Sequence, residues 1–168
     1  MTGTPRWSPD GKLIAFDSRV GGEASLYVVD PNAGVPHKLS VDRPENEAPS
    51  WSKDGAWIYF TNAVDSTIWK VPSHGGHAVQ IAGWASSLAI ESPDGEYVYF
   101  VRDQTLWRTK PYGSEEEPVA DMPRTNFLGG EWFPAKAGIY FLSHANGKAT
   151  INLFDLKSKQ IRRIFTLE

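Results

Sequence analysis

Apolar residues fall in short bursts separated by clusters of Gly, Pro, Asn, Asp and Ser, and no segment holds the 3.6-residue period of a helix over a useful length. The bursts at 13–16, 57–60 and 97–101 are rich in β-branched and aromatic residues and apolar on both sides, as strands between two packed faces must be. The pattern predicts an essentially all-β chain.

The bursts repeat. One segment reads Trp7-Ser8-Pro9-Asp10-Gly11-Lys12-Leu13-Ile14-Ala15-Phe16, then Trp51-Ser52-Lys53-Asp54-Gly55-Ala56-Trp57-Ile58-Tyr59-Phe60, then Glu91-Ser92-Pro93-Asp94-Gly95-Glu96-Tyr97-Val98-Tyr99-Phe100, then Trp132-Phe133-Pro134-Ala135-Lys136-Ala137-Gly138-Ile139-Tyr140-Phe141, at spacings of 44, 40 and 41 residues. A second block follows each anchor: Leu26-Tyr27-Val28-Val29-Asp30, Ile68-Trp69-Lys70-Val71-Pro72, Leu106-Trp107-Arg108-Thr109-Lys110 and Ile151-Asn152-Leu153-Phe154-Asp155. Pro-Asp-Gly makes a tight turn because Pro presets φ, Asp bonds nearby backbone and Gly accepts a positive φ. Each unit of about 42 residues is therefore a four-stranded antiparallel meander, the size of a propeller blade. The blades are expected at 4–43, 44–84, 85–122 and 123–168, in one domain over 1–168. The fourth copy has Ala135-Lys136 where Asp-Gly is expected, which makes its hairpin the exception.

The Trp-Ser-Pro-Asp-Gly-Lys-x-Ile-Ala-Phe run resembles the repeat of TolB-like β-propellers, relatives of the WD-repeat proteins, over nearly all of residues 4–168. The resemblance implies a fold that binds, gates or scaffolds: in periplasmic TolB, beside the hydrolase domain of prolyl-oligopeptidase-type peptidases, and behind the winged helix of bacterial regulators. The sequence leaves the compartment open; it is the periplasm if the resemblance to TolB carries over. Such relatives carry six to eight blades, whereas four are read here, so the two end blades would each expose an apolar face. The expectation is a homodimer closing an eight-bladed ring, blade 1 of each chain on blade 4 of the other. A steep four-bladed ring, or further blades in a longer natural chain, are the alternatives.

Composition narrows the chemistry. The net charge is −3 with no broad basic region, so nucleic acid is not an expected partner, and the short basic run at 157–163 reads as a solvated outer strand rather than a phosphate site. Without cysteine there is no disulfide and no thiol nucleophile. No apolar run reaches the roughly 18 residues of a membrane span, and Met1-Thr2-Gly3-Thr4 is no signal segment, so if the natural protein is exported its signal is expected outside this chain.

Gly-x-Ser-x-Gly and the Gly-rich phosphate loops are absent, which disfavours a serine hydrolase and nucleotide chemistry. His74-Gly75-Gly76-His77 reads as an exposed turn rather than a metal site, and His37 and His144 stand alone. Glu115-Glu116-Glu117 reads as edge protection rather than a calcium site, and Asp10, Asp54 and Asp94 as turn residues rather than paired acids. The recurring Trp positions read as inter-blade packing, with Trp84 the expected exposed aromatic. No cofactor, metal or catalytic residue is expected. The leading reading is a non-enzymatic module that binds a protein or peptide; an accessory propeller of a prolyl-oligopeptidase-type peptidase or a winged-helix regulator is second. Residues just before each anchor, Arg6, Glu47, Ser50, Ser87 and Glu131, are the candidates to line the central channel.

Overall fold

The computed structural model of the chain describes residues 3, 5–84, 87–123 and 131–167. Among them there is no helix, and sixteen strands form four separate antiparallel sheets, each a simple meander in chain order. The first sheet holds β1 (Arg6–Trp7), β2 (Ile14–Ser18), β3 (Ser25–Val29) and β4 (His37–Lys38). The second holds β5 (Asn46–Trp51), β6 (Trp57–Asn62), β7 (Thr67–Pro72) and β8 (Val79–Trp84). In the third are β9 (Ser87–Glu91), β10 (Val98–Arg102), β11 (Thr105–Thr109) and β12 (Glu117–Pro118), and in the fourth β13 (Trp132–Ala135), β14 (Gly138–Ala145), β15 (Lys148–Phe154) and β16 (Ile161–Thr166). These four-stranded meanders are the blades that the repeat predicts.

The repeated turn closes the first hairpin of three blades by one mechanism. The hydroxyls of Ser8, Ser52 and Ser92 donate to Asp10, Asp54 and Asp94 at 2.7, 2.6 and 2.5 Å. The amides of Leu13, Trp57 and Tyr97 donate to the same serine oxygens, and Gly11, Gly55 and Gly95 take φ of 70°, 72° and 79°. The serine hydroxyl first, then a backbone amide, holds all three aspartates below the usual carboxylate range. The fourth blade lacks this device. Ala135 pairs directly with Gly138 across a two-residue turn, and Gly138 sits at φ 135°.

Three apolar seams join the blades. Ala15, Leu26, Val28 and Leu39 of blade 1 pack on Trp51, Ile58, Phe60 and Val71 of blade 2. Tyr59, Ile68, Ile81 and Ala82 of blade 2 meet Ala89, Val98 and Phe100 of blade 3. Tyr99, Val101, Leu106 and Val119 of blade 3 meet Trp132, Ile139, Phe141 and Phe154 of blade 4. The same repeat positions serve each time, so every blade has a leading face carrying the anchor Trp position and an unlike trailing face. Cross-strand register explains the division, since Ala15 pairs with Val28 while Ile14 pairs with Val29 on the other side of the sheet.

Glu91 occupies the anchor Trp position of blade 3 and puts a carboxyl into the second seam. It accepts from the Tyr59 hydroxyl at 3.1 Å and from the Lys53 amide. Burial pushes its carboxyl upward, and those two hydrogen bonds only partly oppose it; burial also pushes the Tyr59 phenol up. A folded-state value above the unfolded glutamate value of about 4.3 means the stabilisation is full below that value and is lost as pH rises through the folded one. The difference in urea stability between wild type and Glu91→Gln is therefore expected to move in favour of the glutamine variant from pH 4 to pH 7; a flat difference would contradict this environment for Glu91.

Candidate functional site

The first strands of the four blades form a common inner row: β1 touches β5, β5 touches β9, and β9 touches β13, while β4, β8, β12 and β16 are the outer edges. All five residues expected at the channel fall on or beside this row, but it uses them differently. Ser50 is buried and its hydroxyl donates to the Ala89 carbonyl at 2.5 Å, tying blade 2 to blade 3. A bulge in β5 puts it there: the pairing of β5 with β6 shifts between Glu47 and Ser50, and Ala48 takes φ 54°. Glu47 pairs with Arg19 at 3.4 Å, beside the closer Arg19–Glu45 pair at 2.7 Å. Ser87 opens β9.

Arg6 and Glu131 are brought to one place. They line a cleft of about 380 Å³, with Phe133, Tyr140, Leu142 and Ile151 forming its apolar wall. Arg6 lies on β1 opposite Ala15, half-buried, and burial lowers its guanidinium pKa. Its carbonyl accepts from the Trp51 indole at 3.0 Å, which fixes the backbone at this point. Glu131 is placed by its carbonyl, which accepts from the Leu142 amide at 2.9 Å. Its Oε1 stands 3.3 Å from His144 Nε2, and its Oε2 is buried without a hydrogen-bond partner. His144 is thus not alone, as the sequence had suggested; it lies on the second strand of the hairpin that Glu131 introduces, and only register could reveal it. The cleft offers one cation, one anion and an aromatic wall, and among its described lining residues there is no serine, threonine or cysteine to act as nucleophile. It suits recognition of a polar chain end or side chain against an apolar surface.

The other candidates resolve locally. His77 Nδ1 lies 2.5 Å from Asp42, and Gly76 donates to the Ser40 carbonyl, so the His74–His77 turn is fastened to blade 1. No group of three or more His, Cys, Asp or Glu that could hold a metal occurs among the described residues. Glu116 and Glu117 pair with Arg102 and Arg108 at 2.6 Å each. Trp84 is exposed as expected, but Trp7 is more so, at 58%, because it lies on the uncovered leading face of blade 1.

Comparison with known proteins agrees with the geometry. The family model of the TolB β-propeller domain matches residues 1–110. An uncharacterised protein of Agrobacterium fabrum is 31% identical over 99 residues, covering 56% of this chain and 34% of that protein. The uncharacterised peptidase YuxL of Bacillus subtilis is 46% identical over 58 residues, covering 34% of this chain and 9% of the peptidase. The Tol-Pal system protein TolB of Hydrogenovibrio crunogenus is 40% identical over 48 residues, covering 29% of this chain and 11% of TolB. The chain thus spans about a third or less of the curated relatives it matches. Among solved structures, TolB of Acinetobacter baumannii superposes with a TM-score of 0.74 at 18% identity, over 97% of this chain and 43% of that one, a likeness of fold. By its repeats, its stacked four-stranded sheets and a family match over well more than half its length, this chain belongs to the TolB β-propeller domain family.

Proposed function

We propose that the chain is a non-catalytic protein-interaction and assembly module, and that its first partner is a second copy of itself. One observation carries the reading. The leading face of blade 1 (Trp7, Ile14, Phe16, Tyr27, Val29) repeats the positions that blade 2 buries against blade 1, and none of the three core clusters of the described residues covers it. The trailing face of blade 4 (Phe133, Tyr140, Leu142, Ile151) is its counterpart, with Phe133 59% exposed. Leading face against trailing face is the geometry of all three internal seams, so two chains joined twice in this way make a ring of eight blades. In such a ring the partner's blade 1 covers the apolar wall of the Arg6–Glu131 cleft, so that cleft is part of the proposed seat of the second copy. Likeness to TolB makes the periplasm the compartment we propose.

Light scattering after size exclusion is expected to give twice the 18.7 kDa chain mass. A stable monomer at high concentration would remove self-assembly from the reading. The second reading, an accessory propeller of a peptidase, is favoured by the 46% identity with YuxL. The coding sequence on either side of this segment separates the two: an adjoining hydrolase domain would make the uncovered faces internal seams of one longer propeller.

A further inference from the structure

A larger cleft, of about 1090 Å³, opens on the turn side of the seam between blades 3 and 4. Its walls are the Ser92-Pro93-Asp94 turn of blade 3, the 134–138 hairpin of blade 4, and the turn and strand start at 155–163. Four cations line it: Lys136, Lys157, Arg162 and Arg163, all exposed. Among the described residues, Lys136, Arg162 and Arg163 form no ion pair. The two acids in the lining, Asp94 and Asp155, offset only two of the four cations, and both are held in their own turns. Asp94 accepts from the Ser92 hydroxyl and the Glu96 amide, and Asp155 from the Lys157 and Ser158 amides at 2.8 Å each. The cleft therefore carries surplus positive charge on a chain whose net charge is −3.

The same cleft ends at an open strand edge. Among the described residues β16 pairs with β15 on one side and with no strand on the other. It runs six residues, exposed nearly throughout, whereas the equally long β8 is partly buried and the outer strands of blades 1 and 3 are two residues each. A long free edge is a template for an added strand, and natural sheets usually shorten or block it. Here it bears two arginines and the exposed side chains of Ile161, Ile164 and Phe165.

We propose that this cleft and edge form a docking groove for an extended acidic segment of a partner protein, which pairs along β16 and sets its carboxylates on Arg162, Arg163 and Lys136. The volume exceeds what a small ligand fills, and carboxylates along an extended chain suit an edge on which Arg162 and Arg163 stand between Ile161 and Ile164. A nucleic acid is the poorer fit, since its phosphate backbone cannot pair along the open β16 edge as a polypeptide strand can. The groove is complete within one chain, so its test does not depend on ring closure.

The test is fluorescence anisotropy with a labelled ten-residue peptide of alternating Val-Val and Glu-Glu pairs, which puts carboxylates on both faces of the added strand as the adjacent Arg162 and Arg163 require. Saturable binding is expected, weakening roughly tenfold or more in Arg162→Glu/Arg163→Glu, and weakening with added salt, as screened charge pairs must. Lys148→Glu, outside the cleft, should bind as wild type does, and circular dichroism should show all variants folded. N-methylation of alternate peptide amides, which keeps every carboxylate but removes strand pairing, should cost roughly fivefold or more, on the order of a lost hydrogen-bond pair. No saturable binding, equal binding by the charge-reversed variant, or equal binding of the N-methylated peptide would overturn the proposal. So would a single-stranded oligonucleotide or tripolyphosphate binding as tightly as the peptide.

Discussion

Replacing Gly138 with alanine is expected to unfold the fourth blade. A Cβ built there would stand 2.2 Å from the Phe154 carbonyl oxygen and 3.1 Å from its carbon, both backbone atoms that cannot swing aside. The residue also sits at φ 135°, where an L side chain is strained whatever the space. Ala135 pairs with Gly138 and Ile139 with Phe154, so relief requires parting β14 from β15 at the end where the blade's core begins. The cost is expected at about 4 kcal/mol or more, the range reserved for clashes with fixed backbone. Gly147 supplies the control: its φ is 75° and nothing lies within 4 Å of the added Cβ, so Gly147→Ala should cost only about 1 kcal/mol, the price of the conformation alone. Urea unfolding followed by tryptophan fluorescence measures both. Equal losses would mean that the Phe154 contact is not what makes Gly138 necessary.

The second large effect separates two tryptophans that hold the same place in the repeat. Trp51 is 9% exposed in the seam between blades 1 and 2, and its indole donates to the Arg6 carbonyl. Trp51→Ala is expected to cost about 4 kcal/mol, from the cavity and from the carbonyl left unpaired. Trp7→Ala, measured where the chain is monomeric, should cost under about 0.5 kcal/mol because no blade covers that face. The same Trp7 change should lower the mass seen by light scattering if two copies close a ring. A large loss of monomer stability in Trp7→Ala would show that the leading face of blade 1 is already buried.

What the sequence made legible was whatever the repeat encodes locally. The Ser-x-Asp-Gly turn, the second matched block and the double-sided strands all follow from residue types at fixed spacing, and they give blades, meanders and seams without further information. The fourth hairpin departs where its sequence does: without the Asp-Gly pair the turn shortens, and the demand for positive φ passes to Gly138. The site was less legible because its members meet through register across sheets. Ser50 stands just before an anchor, like Arg6, yet the bulge at Ala48 turns it into the seam. His144 reaches Glu131 across a hairpin, and the arginines of β16 gain a meaning only beside the turns of the neighbouring blade. Spacing within a repeat cannot report on such meetings.

The unlike faces of each blade give the chain a direction, as a stud and a socket do. Two copies meeting stud to stud would oppose surfaces that never oppose one another inside the molecule, so the proposed self-association would proceed in one sense only. Whether such growth ends depends on the angle each blade turns. An angle that divides the circle yields a closed body of fixed size, and any other yields a fibre of unlimited length. A single charged residue at the Trp7 position would therefore stop either outcome at one stroke, leaving a lone arc with its socket blocked.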